Sequence, residues 1–187
     1  MKKLLCLIFM LATCSCASLK NYNAIEKYLM DIVSNKTLLV SEKLSNTNTL
    51  RILYESEDIN KDYDHEIPVD GNRSKVLDQV IWNKIFDTSN NEVSTIWNSS
   101  ELSKIELEQV SQKELWNSAF LNKYTGNSKK ILWVSDVIYY KPKKMAIFSY
   151  KTGNTDTPGS SESAAVIMVF EKDKWRFLEK IYDYQFQ

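Results

Sequence analysis

The cysteines constrain this chain most strongly, because all three lie within its first sixteen residues, at Cys6, Cys14 and Cys16. The rest of the chain therefore has neither a disulfide framework nor a thiolate nucleophile nor a cysteine-based zinc site. A domain folded from that part is stabilised by packing. The hydrophobic content of 43% and the aromatic content of 12% are enough for such a core. We expect one folded domain.

The first residues have the composition of a signal segment. Lys2 and Lys3 precede an apolar run that extends from Leu4 to Ala12. This run is too short to span a bilayer as a helix, but it has the length of a signal-peptide core. We therefore assign residues 1 to 17 to a signal segment and residues 18 to 187 to a single domain.

The end of the signal segment resembles the lipobox of bacterial lipoproteins, in which a cysteine becomes the first mature residue and carries lipid. Residues 11 to 14 are Leu-Ala-Thr-Cys and end at Cys14, although Thr13 departs from the usual Gly, Ala or Ser. Cys16, preceded by Ser15, is a second candidate. The resemblance implies a lipid-anchored protein of the cell envelope, facing the periplasm or the exterior, with the membrane as one partner.

Ordinary cleavage is the alternative to lipidation. Ser15 and Ala17 form the small-x-small pattern of a signal-peptidase site, and cleavage there would give a secreted chain that begins at Ser18.

The charge balance of the chain bears on its partners. Basic and acidic residues each total 24, so we expect no nucleic-acid partner.

Apolar spacing predicts three helices in the first two thirds of the chain. Apolar residues recur at steps of three and four over residues 19 to 33, with Ser18 placed to cap the helix. Ser74 is placed to cap a second helix over residues 74 to 86, and a third is expected over residues 112 to 124. These segments supply the helical part of the fold.

Short strands are predicted between the helices. Residues 37 to 44 and 49 to 54 flank a Ser-Asn-Thr-Asn stretch that suits a turn, which predicts a hairpin. Residues 105 to 108 alternate as a strand does. Residues 55 to 73 are acidic and polar, are interrupted by proline and glycine, and predict a loop.

The last third predicts a four-stranded antiparallel meander, because β-branched and aromatic runs are separated there by turn residues. The four runs are Ile131 to Tyr140, Met145 to Lys151, Ala164 to Glu171 and Trp175 to Tyr184. Helices first and a sheet last indicate the α+β class, with N-terminal helices packed on one face of the C-terminal sheet. This layout is similar to that of cone-shaped NTF2-like or cystatin-like domains.

The acidic loop contains the only local pattern typical of metal binding. Oxygen-bearing side chains occupy alternate positions at Asp58, Asn60, Asp62 and Asp64. An EF-hand calcium loop, however, has Gly where Tyr63 stands and a bidentate Glu where Val69 stands. The alternatives are a weak calcium site and a solvated acidic loop, and we expect no cofactor.

Catalytic motifs are not recognisable in this sequence. His65 is the only histidine, and it lies in the acidic loop, where it is expected to be exposed. One histidine cannot build a nitrogen- or sulfur-ligated metal site. A hydrolase that uses two carboxylates is conceivable, but no local pattern identifies the pair.

Aromatic and basic residues provide the remaining candidates. Five tryptophans lie in apolar-periodic stretches and are expected to pack in the core rather than line a ligand pocket; they are Trp82, Trp97, Trp116, Trp133 and Trp175. Lys141, Lys143 and Lys144 surround Pro142 at a predicted hairpin tip, where they could either contact anionic headgroups or keep the hairpin solvated.

The sequence thus favours a non-enzymatic envelope lipoprotein that binds a partner protein or a small apolar ligand. Two alternatives remain: a carboxylate-dependent hydrolase of the envelope, and a calcium-stabilised module.

Overall fold

A computed structural model describes residues 22–34, 37–54, 74–89, 96–98, 100–156 and 160–183. The signal segment with Cys14 and Cys16, the acidic loop with His65, and the candidate calcium ligands Asp58, Asn60, Asp62 and Asp64 lie outside these ranges. The described residues have the α+β fold that the sequence predicts. None of the helices in these ranges has the length and hydrophobicity needed to span a membrane.

The helices are short. The first, α1, covers residues 22 to 29. It is followed by α2 (Asn46–Tyr54), α3 (Gln79–Ser89), α4 (Gln112–Leu115) and α5 (Ser118–Asn122). The strands are β1 (Thr37–Val40), β2 (Glu108–Val110), β3 (Lys130–Val134), β4 (Ile138–Tyr140), β5 (Met145–Asn154), β6 (Ser160–Glu171) and β7 (Lys174–Tyr182). A 3-10 turn, Lys141–Lys143, joins β4 to β5.

The described strands form one mixed sheet of seven strands in the order β2-β1-β3-β5-β6-β7, with β4 paired to the first part of β5. The predicted strand from Ile131 to Tyr140 is divided into two strands, β3 and β4, which both pair with β5. The strands β3, β5, β6 and β7 pair antiparallel and in sequence, as sequential hairpins do. The sequence did not predict that β1 lies parallel to both β2 and β3. These parallel pairs extend the sheet beyond the meander.

The predicted hairpin over residues 37 to 44 and 49 to 54 is wrong. The first segment is a strand, β1, but the second lies within the helix α2. The buried residues of α2 include Thr49, Ile52 and Leu53, a spacing of three and four that suits one helix face. A short apolar run has too few positions to distinguish this period from that of a strand.

Both faces of the sheet are covered by helices, so the expectation of helices on one face is also wrong. Helix α1 packs on one face through Ile25 and Leu29, and helices α2 and α3 pack on the other through Leu53 and Trp82. The reason lies in β5, where every residue from 145 to 150 is buried. A strand that is apolar on both sides must be covered on both sides.

Local capping also shifts the predicted boundaries. The side chain of Asp78, rather than Ser74, accepts a hydrogen bond from the backbone of Ile81 at 2.8 Å, so α3 begins at Gln79. The predicted helix over residues 112 to 124 is divided into α4 and α5, because Asn117 caps a new helix. The predicted strand over residues 105 to 108 lies slightly later, in β2.

Candidate functional site

A β-bulge in β7 brings three side chains into one row. Met168 of β6 is paired with Phe177, but the next residue back, Ile167, is paired with Glu179. Leu178 is therefore an extra residue in β7, and the alternation of side chains shifts by one position there. Beyond the bulge Lys180 and Tyr182 lie on the same face of the sheet as Phe177.

This row lies beside α1 and remains open to solvent. The ring of Tyr28 in α1 stacks on Phe177, with their centroids 6.0 Å apart. The exposed fraction is nevertheless 51% for Phe177 and 46% for Tyr182. We call these four residues, Tyr28, Phe177, Lys180 and Tyr182, the β7 aromatic surface.

A partly buried polar network on the same face of the sheet supports the β7 aromatic surface. The hydroxyl of Tyr150 donates a hydrogen bond to the Glu162 carboxylate at 2.5 Å, and the ammonium of Lys180 pairs with the same oxygen. The Lys180 ammonium also lies 4.4 Å from the ring centroid of Tyr182. The hydroxyl of Tyr28 lies 3.5 Å from that of Tyr150, at the limit of hydrogen bonding. These contacts restrict the orientations of the exposed rings.

The ionisation states of this network are fixed near neutral pH. Burial raises the pKa of Tyr150, and its hydrogen bond to Glu162 adds to the rise, so the phenol stays protonated. Burial opposes ionisation of Glu162, but the hydrogen bonds from Lys180 and Tyr150 outweigh it and hold the pKa of Glu162 below its ordinary 4.5. Burial likewise opposes the charge on Lys180, yet its bond to Glu162 leaves the pKa of Lys180 above 10.5. The network is suited to support, not to proton transfer.

A second polar cluster lies on the opposite face, beneath α2. The hydroxyl of Thr49 donates to that of Ser149 at 2.8 Å, and the hydroxyl of Ser135 accepts from the backbone of Ser149 at the same distance. Nearby, the guanidinium of Arg51 makes two hydrogen bonds to the buried carboxylate of Asp183, at 2.6 and 3.2 Å. These bonds attach α2 to the sheet.

The sequence-based candidates have different outcomes. Trp82, Trp97 and Trp175 are buried, as predicted. Trp133 is half-buried, with its indole nitrogen donating to Gln112 at 2.8 Å. Trp116, between α4 and α5, is 64% exposed, so the prediction that it packs in the core is wrong. The short helices place its side chain outside the apolar face that Leu115 fills.

Two carboxylates in the described ranges, Glu101 and Asp136, do lie close together, but both pair with the buried ammonium of Lys43, at 3.2 and 3.3 Å, as in a structural ion-pair network. Three carboxyl groups have displaced pKa values, and all three displacements are downward. The backbone of Ile81 lowers the pKa of Asp78, and the hydroxyl of Ser111 lowers that of Glu114. A general acid requires a raised pKa. Within the described part of the chain, no three potential metal-ligating side chains are grouped closely enough to hold a metal ion.

Sequence reasoning missed the β7 aromatic surface. The alternation of residues in β7 predicted that Phe177 shares a face with Trp175, but it gave no sign of the bulge that places Lys180 and Tyr182 on that face as well.

Comparisons with protein-family models, with curated proteins and with solved structures found no match.

Proposed function

We propose that this chain is a lipid-anchored protein of the cell envelope whose domain binds a partner protein through the β7 aromatic surface, without catalysing a reaction. The observation that carries the proposal is the exposure of Phe177 and Tyr182 on one face of a strand, beside a network that holds Lys180 between them. The anchor rests on the lipobox resemblance at Cys14 and Cys16.

Two physical arguments support a protein partner. Aromatic residues are enriched where protein interfaces gain most of their free energy, since a ring buries a large area with few rotatable bonds. Rings that are already held by Tyr28 and Lys180 lose little further freedom on binding, which lowers the entropic cost of association. A small apolar ligand would instead favour a concave, mostly buried site, and both rings lie on an open strand.

The lipid anchor is tested by mass spectrometry of the mature protein purified from its envelope. We expect the first thirteen or fifteen residues to be missing and a lipid adduct on Cys14 or Cys16. The single variants Cys14→Ser and Cys16→Ser decide between the two positions, because only one of them should abolish the adduct. A mature chain that begins at Ser18 without lipid would support secretion and end the anchor proposal.

The binding surface is tested by photocrosslinking from within the envelope. A photoreactive residue at position 177 or 182 should capture the same protein. The same residue at Lys113 or Lys123, exposed beside α4 and α5 at the other edge of the sheet, should not capture it.

Affinity for the captured protein then gives the quantitative test. Phe177→Ala and Tyr182→Ala should each weaken binding about thirtyfold, or 2 kcal/mol, as hot-spot residues do, whereas Lys123→Ala should leave it unchanged. If all three variants bind like the parent, or if every position captures the same protein, the β7 aromatic surface is not the interface.

The likeness to NTF2-like or cystatin-like cones stays part of this proposal. Helix α1 packed against sequentially paired antiparallel strands supports it. The parallel strands β1 and β2 would then be additions to that layout.

A further inference from the structure

Two hairpin tips at one end of the sheet carry a concentration of exposed lysines. The turn between β4 and β5 and the turn between β6 and β7 both lie at this end, because these strands pair antiparallel and in sequence. The backbone of Phe170 donates a hydrogen bond to the carbonyl of Lys144 at 2.9 Å, which places the two tips side by side. The exposed lysines are Lys141, Lys143, Lys144, Lys172 and Lys174.

The nearby carboxylates do not neutralise this end. Lys143 forms an exposed pair with Asp78, Arg176 pairs with Glu171, and Asp173 lies in the turn itself. Among the residues that the structure describes, six cations therefore face three carboxylates at this end, a net positive charge, although the whole chain has none. Tyr139, partly exposed, adds an amphipathic ring beside the tips, of the kind that favours a membrane interface.

The described chain begins close to this end. Tyr22, at the start of α1, packs against Trp97 and accepts a hydrogen bond from Lys43, which also pairs with Asp136. Asp136 is five residues before Lys141, so these two residues are at most about 17 Å apart. The six residues from Cys16 to Tyr22, or the eight from Cys14, reach about 20–28 Å when extended. A lipid on either cysteine can thus enter the same plane as the tips.

We propose that the two lysine-bearing hairpin tips dock on the anionic phospholipid headgroups of the membrane that holds the anchor. This inference rests on the proposed lipid anchor for its geometry. Each lysine near an anionic surface strengthens binding about fivefold, and the attraction is lost within a Debye length. The β7 aromatic surface begins beyond Arg176 in the same strand, so docking at the tips would leave Lys180 and Tyr182 farther from the headgroups than the tips are.

The test uses the mature protein as purified, incorporated into vesicles of phosphatidylcholine alone or with added phosphatidylglycerol. A membrane-impermeant reagent acylates exposed amines, and mass spectrometry reports the rate at each lysine. We expect Lys141, Lys144, Lys172 and Lys174 to react at least fivefold more slowly on the anionic vesicles, and about 1 M salt to remove this protection. Equal rates on both vesicles, or protection that salt does not remove, would overturn the proposal.

Matched variants separate docking from a general effect of charge. The triple variant Lys141→Gln, Lys144→Gln and Lys174→Gln should remove the protection of Lys172. The control variant Lys27→Gln, Lys113→Gln and Lys123→Gln loses the same charge from exposed positions in or beside α1, α4 and α5, and should keep that protection. Protection lost equally in both variants would contradict a local site.

The same mass spectra show whether a lipid is present. If they reveal none, the anchor proposal fails, and docking is then judged by sedimentation of the protein with the two kinds of vesicle. Binding to anionic vesicles should still be about a hundredfold weaker in the first triple variant than in the second. Equal sedimentation of the two variants would overturn the docking proposal by itself.

Discussion

The ammonium nitrogen of Lys43 lies 4.3 Å from the centroid of the Trp97 indole ring, and only 4% of the Lys43 side chain is exposed. The same nitrogen lies 3.2 Å from a carboxylate oxygen of Glu101 and 3.3 Å from one of Asp136. It also donates to the hydroxyl of Tyr22 at 3.3 Å. One buried cation therefore joins α1 to the segment around Trp97 and to the connection between β3 and β4.

We expect Lys43→Met to destabilise the domain by about 2–4 kcal/mol. The substitution keeps most of the apolar volume but removes the cation, leaving Glu101 and Asp136 close together without it. Urea unfolding provides the measurement. Arg176→Met is the control, because its ion pair with Glu171 is exposed and should be worth less than about 0.5 kcal/mol. A loss below about 1 kcal/mol in Lys43→Met would show that the buried cation contributes little.

Trp175→Ala should cost about 3–5 kcal/mol, as the loss of a large core side chain does. Trp175 is buried and packs edge-on against Phe170, with their centroids 5.2 Å apart. Phe177→Ala, at the next position on the same face, should cost less than about 1 kcal/mol because that ring is half exposed. Denaturation midpoints measure both. A midpoint of Trp175→Ala within error of the parent would contradict its place in the core.

Glu162 should make stability depend on pH in the acid range. Its pKa in the folded protein lies below the ordinary 4.5, so its contribution is fully present above that value and is lost as the pH falls through the folded pKa. The difference in unfolding free energy between the parent and Glu162→Gln should therefore shrink as the pH falls from about 6 to about 3. Urea titrations across this range measure it. A difference that stays constant over the range would show that the carboxylate is not stabilised by Lys180 and Tyr150.

The turn between β6 and β7 should accept a stabilising substitution. Lys172 and Asp173 have φ values of 48° and 62°, in the left-handed region that the hairpin turn requires and that Asn and Gly adopt at lower cost. Replacing the pair with Asn-Gly should stabilise the domain by about 1–2 kcal/mol. Thermal and urea unfolding measure the gain.

Gly126→Ala should have the opposite effect, because it introduces backbone strain at a positive φ where the Asn-Gly substitution relieves it. Gly126 has a φ of 78°, and an added Cβ would meet no atom within 4 Å, so only backbone strain opposes alanine there. We expect a loss of about 1 kcal/mol. If Asn-Gly at positions 172 and 173 brought no gain while Gly126→Ala brought the loss, contacts of Lys172 or Asp173 would have to offset their backbone strain.

The strands of the last third could be predicted from sequence because their signal is local. Runs such as those in β5 and β6 are rich in β-branched and aromatic residues and are bounded by turn residues. Consecutive antiparallel strands then pair without further information. Helix α1 could be predicted for the same reason, since three- and four-residue spacing continues long enough to exclude a strand.

The candidate site could not be predicted from sequence, because it depends on how β7 pairs with β6 and not on the spacing of residues along the chain. The bulge at Leu178 puts Phe177 and Lys180 on one face, and only the register of β7 against β6 creates it. The burial of Lys43 likewise requires Glu101 and Asp136, which are distant in sequence. A charged side chain on its own gives no sign of such partners.

The sequence by itself determined the location of the cysteines, the period of α1 and the order of the meander strands, all of which follow from residue type and local spacing. Tertiary structure decided that residues 49 to 54 form a helix, that β1 joins the sheet in parallel, and that Phe177, Lys180 and Tyr182 share one surface. The physical reason is that burial and register are set by contacts between segments far apart in the chain, where free energy gained by packing outweighs local preference.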